Sequence, residues 1–157
     1  TQRLIKSQGY VTHVMGRIRR SAGFGDADDL LSINNFRIQG LGASILKKVI
    51  VEFRALKAQN KILLDRDDSD VNIILTIHDE IVVESPEGTG DRISAILKAL
   101  MEVTVKDKVT LQLKTDPEYD MDSLSKNADA VPFTEEEYNQ VRNQTELIPD
   151  TMGGIIG

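Results

Sequence analysis

The stretch VNIILTIHDEIVVE, residues 71–84, holds two runs of β-branched and aliphatic residues separated only by His78 and Asp79. Such runs predict strands, and their closeness predicts a tight hairpin with this pair at its turn. Pro86-Glu87-Gly88 ends the second strand. The turn lacks the Asn-Gly or Gly-Gly that tight hairpins prefer. Broken local rules tend to occur at functional sites, so the turn is the first candidate site.

A long helical pattern precedes the hairpin. Apolar residues recur there at spacings of three and four, which predicts a helix over about residues 35–59: Ile38, Leu41, Ile45, Val49, Phe53 and Leu56. Asn34-Asn35 is the expected N-cap, after a loop over 21–29. Gly40 and Gly42 each cost a helix about 1 kcal/mol relative to Ala, so we expect another backbone or a ligand to approach closely there.

The elements after the hairpin complete an α+β pattern. An amphipathic helix is predicted from Ile93 to Leu100, a strand over 109–113, and a short last helix from the capping box of Thr134 and Glu137. The predicted fold is α+β, with a long helix and a C-terminal helix packed on a small antiparallel sheet.

Length and composition limit the class of protein. The 157 residues suit one domain or subdomain, and 40% apolar residues with 4% aromatics predict an aliphatic core. The absence of Cys excludes disulfides, zinc–thiolate sites and thiol catalysis. No apolar run reaches the roughly 20 residues that span a bilayer, and no secretory signal opens the chain. We therefore expect a soluble, intracellular protein without a membrane partner.

Charge is unevenly distributed along the chain. Residues 1–66 hold twelve Lys and Arg against five Asp and Glu, whereas residues 67–157 hold seven against twenty, giving the net charge of −6. A basic surface that meets phosphates beside an acidic part that holds cations would produce this division. An acidic tail on an ordinary domain explains it equally well.

The carboxylates at the predicted hairpin tip suit a metal ion. Hard oxygen ligands such as those of Asp79 and Glu80 fit Mg²⁺, which takes one or two carboxylates together with substrate phosphates. Phosphoryl transfer with two ions needs at least one further carboxylate from elsewhere. The triplet His78-Asp79-Glu80 taken alone favours the simpler reading of an exposed polar turn.

Three segments together resemble the family A (DNA polymerase I-like) DNA polymerases. IHDEIVVE (77–84) resembles the third sequence motif of that family. NFRIQG (35–40) resembles its Asn-x-Pro-Ile/Val-Gln-Gly entry into a long palm helix, and GYV (9–11) with GRIRR (16–20) resembles its Gly-Tyr-Val…Gly-Arg-Arg-Arg segment. The motifs occur in the family's order, so residues 1–116 resemble the C-terminal part of a polymerase palm, with a basic segment at 1–20.

The resemblance implies a role for each matching residue. Asp79 matches the palm aspartate that ligates catalytic Mg²⁺, and Glu80 matches the supporting carboxylate beside it. His78 matches a histidine that contacts the primer strand. Gln39 and Asn35 match residues at the minor groove, where acceptors common to all base pairs let an amide test pair shape without reading sequence.

Basic residues are the candidates for phosphate contacts. The resemblance gives this role to Arg17, Arg19 and Arg20, and Lys47 and Lys48 are further candidates. The alternatives are a solvated basic face for the arginines and ordinary helix-surface positions for the lysines.

The sequence departs from the family pattern at several points. Arg37 stands where the family has Pro, and LGAS (41–44) replaces Thr-Ala-Ala-Asp. Residues 117–157 form an acidic extension of open role: docking a partner, wrapping the polymerase body, or having no fixed structure. The motif with the second metal-binding aspartate and the fingers helix are missing.

These features predict the C-terminal fragment or subunit of a DNA-directed DNA polymerase (a nucleotidyltransferase acting in replication) that is inactive alone. Its expected partners are primer–template DNA, dNTP, Mg²⁺ and an N-terminal polymerase chain, as in a split, phage-encoded polymerase. The expected location is the cytoplasm of a bacterial or phage-infected bacterial cell. The alternatives are a non-catalytic polymerase-like module that binds DNA or a replication protein, and an unrelated Mg²⁺-dependent phosphohydrolase.

Overall fold

The computed structural model describes residues 8–21, 27–106, 110–119, 131–144 and 155–156, and it has the α+β architecture that the sequence predicts. Three helices lie in these ranges: α1 (Ala27–Ala58), α2 (Gly90–Met101) and α3 (Glu135–Gln144). The strands are β1 (Tyr10–Thr12), β2 (Ile18–Arg20), β3 (Asn72–Ile77), β4 (Glu80–Glu84), β5 (Thr104–Lys106), β6 (Thr110–Gln112), β7 (Glu118–Tyr119), β8 (Val131–Pro132) and β9 (Ile155–Ile156).

Helix α1 begins eight residues earlier than the sequence pattern predicts. It starts at Ala27, so Asn34 and Asn35 lie inside the helix and the prediction of an N-cap there is wrong. Residues 27–29 are helical too, while 22–26 of the expected loop lie outside the described residues. Fully buried Ile33 packs with Val11 of β1. Tertiary burial of this kind stabilises helical turns that lack a strong local signal.

The apolar stripe of α1 is buried only over its C-terminal part. Ile45, Val49 and Phe53 lie in the main core, but Ile38, which was expected in the same stripe, is 77% exposed. In the first half of the helix the buried side turns instead toward the β1–β2 hairpin. The spacing of apolar residues predicts a helix face, but it does not show which part of that face another element buries.

Strands β3 and β4 pair antiparallel around the turn His78-Asp79. Ile73 pairs with Val83 and Leu75 with Val82, so a β-bulge at Ile74 inserts one extra residue. One face, with Ile73, Ile81 and Val83, packs against the main core. Ile74, Leu75 and Ile77 stay exposed.

The main core lies between α1, α2 and the base of the β3–β4 hairpin. Fully buried Val71 and Ile62 join it from the connection between α1 and β3. That connection is held by buried Asp68, which accepts hydrogen bonds from the backbone N–H groups of Ile62 (2.8 Å) and Leu63 (2.6 Å). Bonds from backbone donors to a carboxylate are stronger than neutral ones, which explains an acidic residue in this interior.

The C-terminal half contains more strands than predicted. Strand β6 lies within the expected strand at 109–113, but β5 was missed, and it pairs with β6 on one side and with β9, in parallel, on the other. The capping box is confirmed: Glu137 N–H donates to Thr134 Oγ1 (3.3 Å), and Thr134 N–H to Glu137 Oε2 (2.7 Å).

The described parts of residues 117–157 pack onto α2. The Tyr119 ring lies against Gly90 and meets the buried Phe133 edge-on, with 6.2 Å between ring centroids. Buried Lys98 of α2 binds Glu135 of α3 at 3.2 Å. The described part of the extension thus packs on α2 of the same chain, and its role stays a prediction. No helix among the described residues is both long and apolar enough to cross a membrane.

Candidate functional site

The tip of the β3–β4 hairpin is a two-residue turn. Ile77 pairs directly with Glu80, which leaves only His78 and Asp79 to reverse the chain. His78 has φ of +53°, a conformation uncommon for residues other than Gly and one that tight hairpin turns require. The side chains of all three tip residues, His78, Asp79 and Glu80, are exposed. The strained turn thus projects polar side chains into solvent.

Asp79 and Glu80 are available as ligands. Neither carboxylate takes part in a hydrogen bond or an ion pair with any residue that the structure describes. Their oxygen atoms are of the kind that Mg²⁺ prefers. Within the described ranges, no group of three or more His, Cys, Asp or Glu side chains could hold a metal ion. Among the described residues, the tip thus presents two exposed carboxylates that belong to no larger cluster of potential metal ligands.

Asn35 and Gln39 lie one helical turn apart on α1, and both are exposed. Phe36 and Gly40 lie on the side that meets the β1–β2 hairpin, where a Cβ on Gly40 would be 2.8 Å from the Phe36 ring and 3.4 Å from His13. A close approach occurs at Gly40, but the side chains of Phe36 and His13 make it, so the prediction of another backbone there is wrong. Nothing lies within 4 Å of such an atom at Gly42, so the prediction of another backbone is wrong there too.

The three arginines of the basic segment differ in surroundings. Arg17 and Arg20 are exposed, whereas Arg19 is half-buried and donates to Ser32 Oγ of α1 at 2.7 Å. Arg19 pairs across the hairpin with buried Val11, so both side chains face α1. Among the lysines, Lys47 is exposed, while Lys48 forms an ion pair with Glu52 at 2.8 Å.

His13 is a residue that the sequence analysis missed. Its side chain is 4% exposed; Nδ1 lies 3.1 Å from the Met15 backbone N and Nε2 lies 3.2 Å from Ser44 Oγ on α1. Ser44 Oγ also donates to the Gly40 carbonyl at 2.9 Å. A signal for this burial exists in the sequence, because strand alternation places His13 on the same face as Val11.

These contacts bring together two groups of candidate residues. The β1–β2 hairpin with its arginines is fixed to the first half of α1, which carries Asn35 and Gln39. The β3–β4 hairpin packs through its base on the main core. Among the described residues, no hydrogen bond or ion pair joins its tip to Asn35 or Gln39.

Comparison with known proteins identifies the family. The model of DNA polymerase family A matches residues 1–121. DNA polymerase theta of Drosophila melanogaster is 29% identical over 115 residues, which are 69% of this chain and 6% of that protein. DNA polymerase I of Deinococcus radiodurans is 28% identical over 116 residues, which are 69% of this chain and 11% of that protein. DNA polymerase I of Borreliella burgdorferi is 31% identical over 108 residues, which are 65% of this chain and 10% of that protein.

The chain spans about a tenth or less of the length of these curated relatives. No solved structure matches it. The family match covers all three motifs, at residues 9–20, 35–40 and 77–84. The chain therefore belongs to DNA polymerase family A.

Proposed function

We propose that this chain is the C-terminal palm portion of a family A DNA polymerase and takes part in adding dNTPs to the 3′-OH of a primer on a DNA template. The observation that carries the proposal is the exposed two-residue turn with Asp79 and Glu80, within a chain that matches the family over residues 1–121. We expect activity to require an N-terminal polymerase polypeptide, because a site with two metal ions needs at least one further carboxylate besides the two at this tip.

Asp79 and Glu80 are the residues that would hold Mg²⁺. The bound ion would activate the primer hydroxyl and stabilise the charge that develops on the transferred phosphoryl group. Asp79 contributes a carboxylate at the apex of a short turn, and Glu80 contributes a second from the first residue of β4. The positive φ of His78 lets the chain reverse within two residues, and the side chains of Asp79 and Glu80 are both exposed there.

Other residues bind and orient the primer–template. Exposed Asn35 and Gln39 offer amide groups from one side of α1, which suits minor-groove acceptors. Arg17 and Arg20 offer guanidinium groups to phosphates. His78 contacts the primer strand near its 3′ end. Together these side chains would place the primer terminus near the tip of the β3–β4 hairpin.

The test is primer extension with Mg²⁺ by the chain reconstituted with its N-terminal polymerase polypeptide. Asp79→Asn and Asp79→Ala are expected to lower the rate at least about a hundredfold, since a lost metal ligand removes several kcal/mol of transition-state stabilisation. Asp91→Asn is the matched control, because Asp91 is also exposed but lies in the first turn of α2. Its rate is expected to equal that of the unaltered chain.

Equal extension by the Asp79→Ala complex would show that the catalytic assignment is wrong. Extension by the chain alone would contradict its dependence on a partner. Primer–template binding without extension in every reconstitution would favour the alternative, a non-catalytic module that binds DNA or a replication protein.

A further inference from the structure

The hydrogen bonds around His13 determine which ring nitrogen carries its proton. The Met15 backbone N–H can only donate, so Nδ1 accepts and is unprotonated. Ser44 uses its hydroxyl hydrogen on the Gly40 carbonyl, which leaves Ser44 Oγ to accept from Nε2. The arrangement therefore requires a neutral imidazole with its proton on Nε2.

This ring joins the β1–β2 hairpin to α1. Met15 lies between β1 and β2, whereas Ser44 lies on α1. The imidazole also packs on the Phe36 ring, with 5.6 Å between centroids, above the space left by Gly40. Hydrogen bonds and packing at one buried residue thus fix the position of the hairpin against the helix.

We propose that His13 is a positioning residue of the nucleic-acid-binding surface, holding the β1–β2 hairpin against α1 so that Arg17 and Arg20 meet the same duplex as Asn35 and Gln39. The inference rests on the proposed function for its DNA partner. His13 is buried, so it acts through the residues that it positions and makes no contact with DNA.

Protonation of His13 would break this arrangement. A proton on Nδ1 would face the Met15 N–H, and the new charge would be buried near Arg17 of the same hairpin. The α1 residues in contact, Phe36, Gly40 and Ser44, carry no charge to offset it. Burial first, and Arg17 second, lower the pKa of His13 from its ordinary value of 6.5.

The sign of the pH dependence follows from this lowered pKa. The unfolded chain binds the proton more readily than the folded chain, so the contribution of neutral His13 to stability is complete above about pH 6.5 and is lost as pH falls below it. The β1–β2 hairpin is therefore expected to be held less firmly against α1 over the same acidic range.

The first experiment measures the hairpin position without DNA. Because the chain has no Cys, Thr12→Cys and Ala43→Cys place two spin labels at exposed positions on β1 and α1 with no background. We expect a narrow distance distribution at neutral pH. His13→Phe, which keeps a ring of similar size but loses both hydrogen bonds, is expected to broaden it.

Ser44→Ala removes the hydrogen bonds of the Ser44 hydroxyl to His13 and to the Gly40 carbonyl, and it replaces His13→Phe in this experiment if that variant does not fold. Thr89→Val is the matched control, since it removes buried hydroxyl hydrogen bonds to Ser85 and to the Pro86 carbonyl at the start of α2. An unchanged distribution in every folded variant at His13 and Ser44 would overturn the proposal.

The second experiment measures primer–template affinity by fluorescence anisotropy over a salt series. His13→Phe is expected to weaken binding about 3- to 10-fold at neutral pH, the equivalent of one or two neutral hydrogen bonds. Its salt dependence is expected to stay unchanged, because no phosphate contact is removed. As pH falls below about 6.5, the unaltered chain is expected to lose affinity in a titration step that His13→Phe lacks.

The outcomes separate the two proposals. Equal affinity and equal pH profiles of His13→Phe and the unaltered chain would overturn the positioning role alone. Failure of the unaltered chain to bind primer–template, both alone and reconstituted with its N-terminal polymerase polypeptide, would overturn the proposed function, and the label distances would still decide whether His13 fixes the hairpin.

Discussion

Arg19 differs from Arg17 and Arg20 in what its guanidinium already binds. Successive strand residues point to opposite faces, so Arg19 turns toward α1 and donates to Ser32, while Arg20 turns to solvent. Arg17 precedes β2 and is also exposed. The three arginines look equivalent in the sequence, but only two of them present free guanidinium surface to a phosphate.

This difference predicts distinct salt dependences. Arg17→Ala and Arg20→Ala are each expected to lower the slope of log affinity against log salt for primer–template by about 0.9, as one phosphate contact is lost. Arg19→Ala is expected to leave the slope nearly unchanged and to lower the free energy of unfolding by about 1 kcal/mol, through its hydrogen bond to Ser32. Binding titrations and urea denaturation measure the two effects.

Lys61→Ala is the control for that series, because Lys61 is exposed and lies beyond the end of α1. A slope that falls equally for Arg19→Ala would show that Arg19 leaves Ser32 to meet DNA.

At the scale of elements, α1 shows how one helix meets two different neighbours. Its first half packs through Ile33, Phe36 and Gly40 on the β1–β2 hairpin, and its second half packs through Val49 and Phe53 on the main core. Asn35 and Gln39 lie on the exposed side of the first half. Ile38, an apolar residue of the first half, is exposed because the buried side of the helix faces the β1–β2 hairpin there.

Two glycines of α1 are expected to respond oppositely to alanine. Gly42→Ala has open space for its Cβ and is expected to raise the free energy of unfolding by about 0.5–1 kcal/mol through helix propensity. At Gly40 the new Cβ would be 2.8 Å from the Phe36 ring, so overpacking is expected to outweigh that gain, with a net loss of about 1 kcal/mol.

Urea denaturation of the two variants measures this difference, and each variant is the control for the other. Equal stabilisation by both would show that the Phe36 ring moves aside at little cost.

Across the whole molecule, buried Lys98 ties α2 to the C-terminal extension. Its ammonium group binds Glu102 (2.8 Å), Glu135 (3.2 Å) and the Thr115 carbonyl (2.9 Å). Burial alone would lower the pKa of Lys98, but the hydrogen bonds to Glu102 and Glu135 outweigh it and raise the pKa. The extension therefore contributes to the same folded unit as the family motifs.

Removal of residues 117–157 is consequently expected to destabilise the chain. The cut exposes the surface that Phe133 covers, worth about 1.5–3 kcal/mol by itself, and takes Glu135 from Lys98. Thermal denaturation of residues 1–116 against the full chain measures the loss. Phe133→Ala in the full chain is expected to reproduce much of it, whereas exposed Val131→Ala is the control. Equal denaturation midpoints for residues 1–116 and for the full chain would show that the contacts of the extension with α2 do not stabilise the fold.

Prediction from sequence succeeded where neighbouring residues carry the information. The β3 and β4 runs predicted strands, and the capping box predicted the start of α3. It failed at Asn34, Ile38 and β5, because burial by distant residues decided those positions. Likewise, the sequence predicted an exposed polar turn at Asp79, while the inward turn of Arg19 became known only from packing.

The sequence alone determined that the chain is α+β, that it belongs to a polymerase family, and that a tight turn of His78 and Asp79 precedes Glu80. These properties are local, because strand propensity and turn length depend on adjacent residues and each family motif is a short run of residues. Only the tertiary structure decided that His13 is buried between the basic hairpin and α1, and that the acidic extension packs on α2. Such contacts join residues far apart in the chain, and their free energy depends on which surfaces meet when the chain folds.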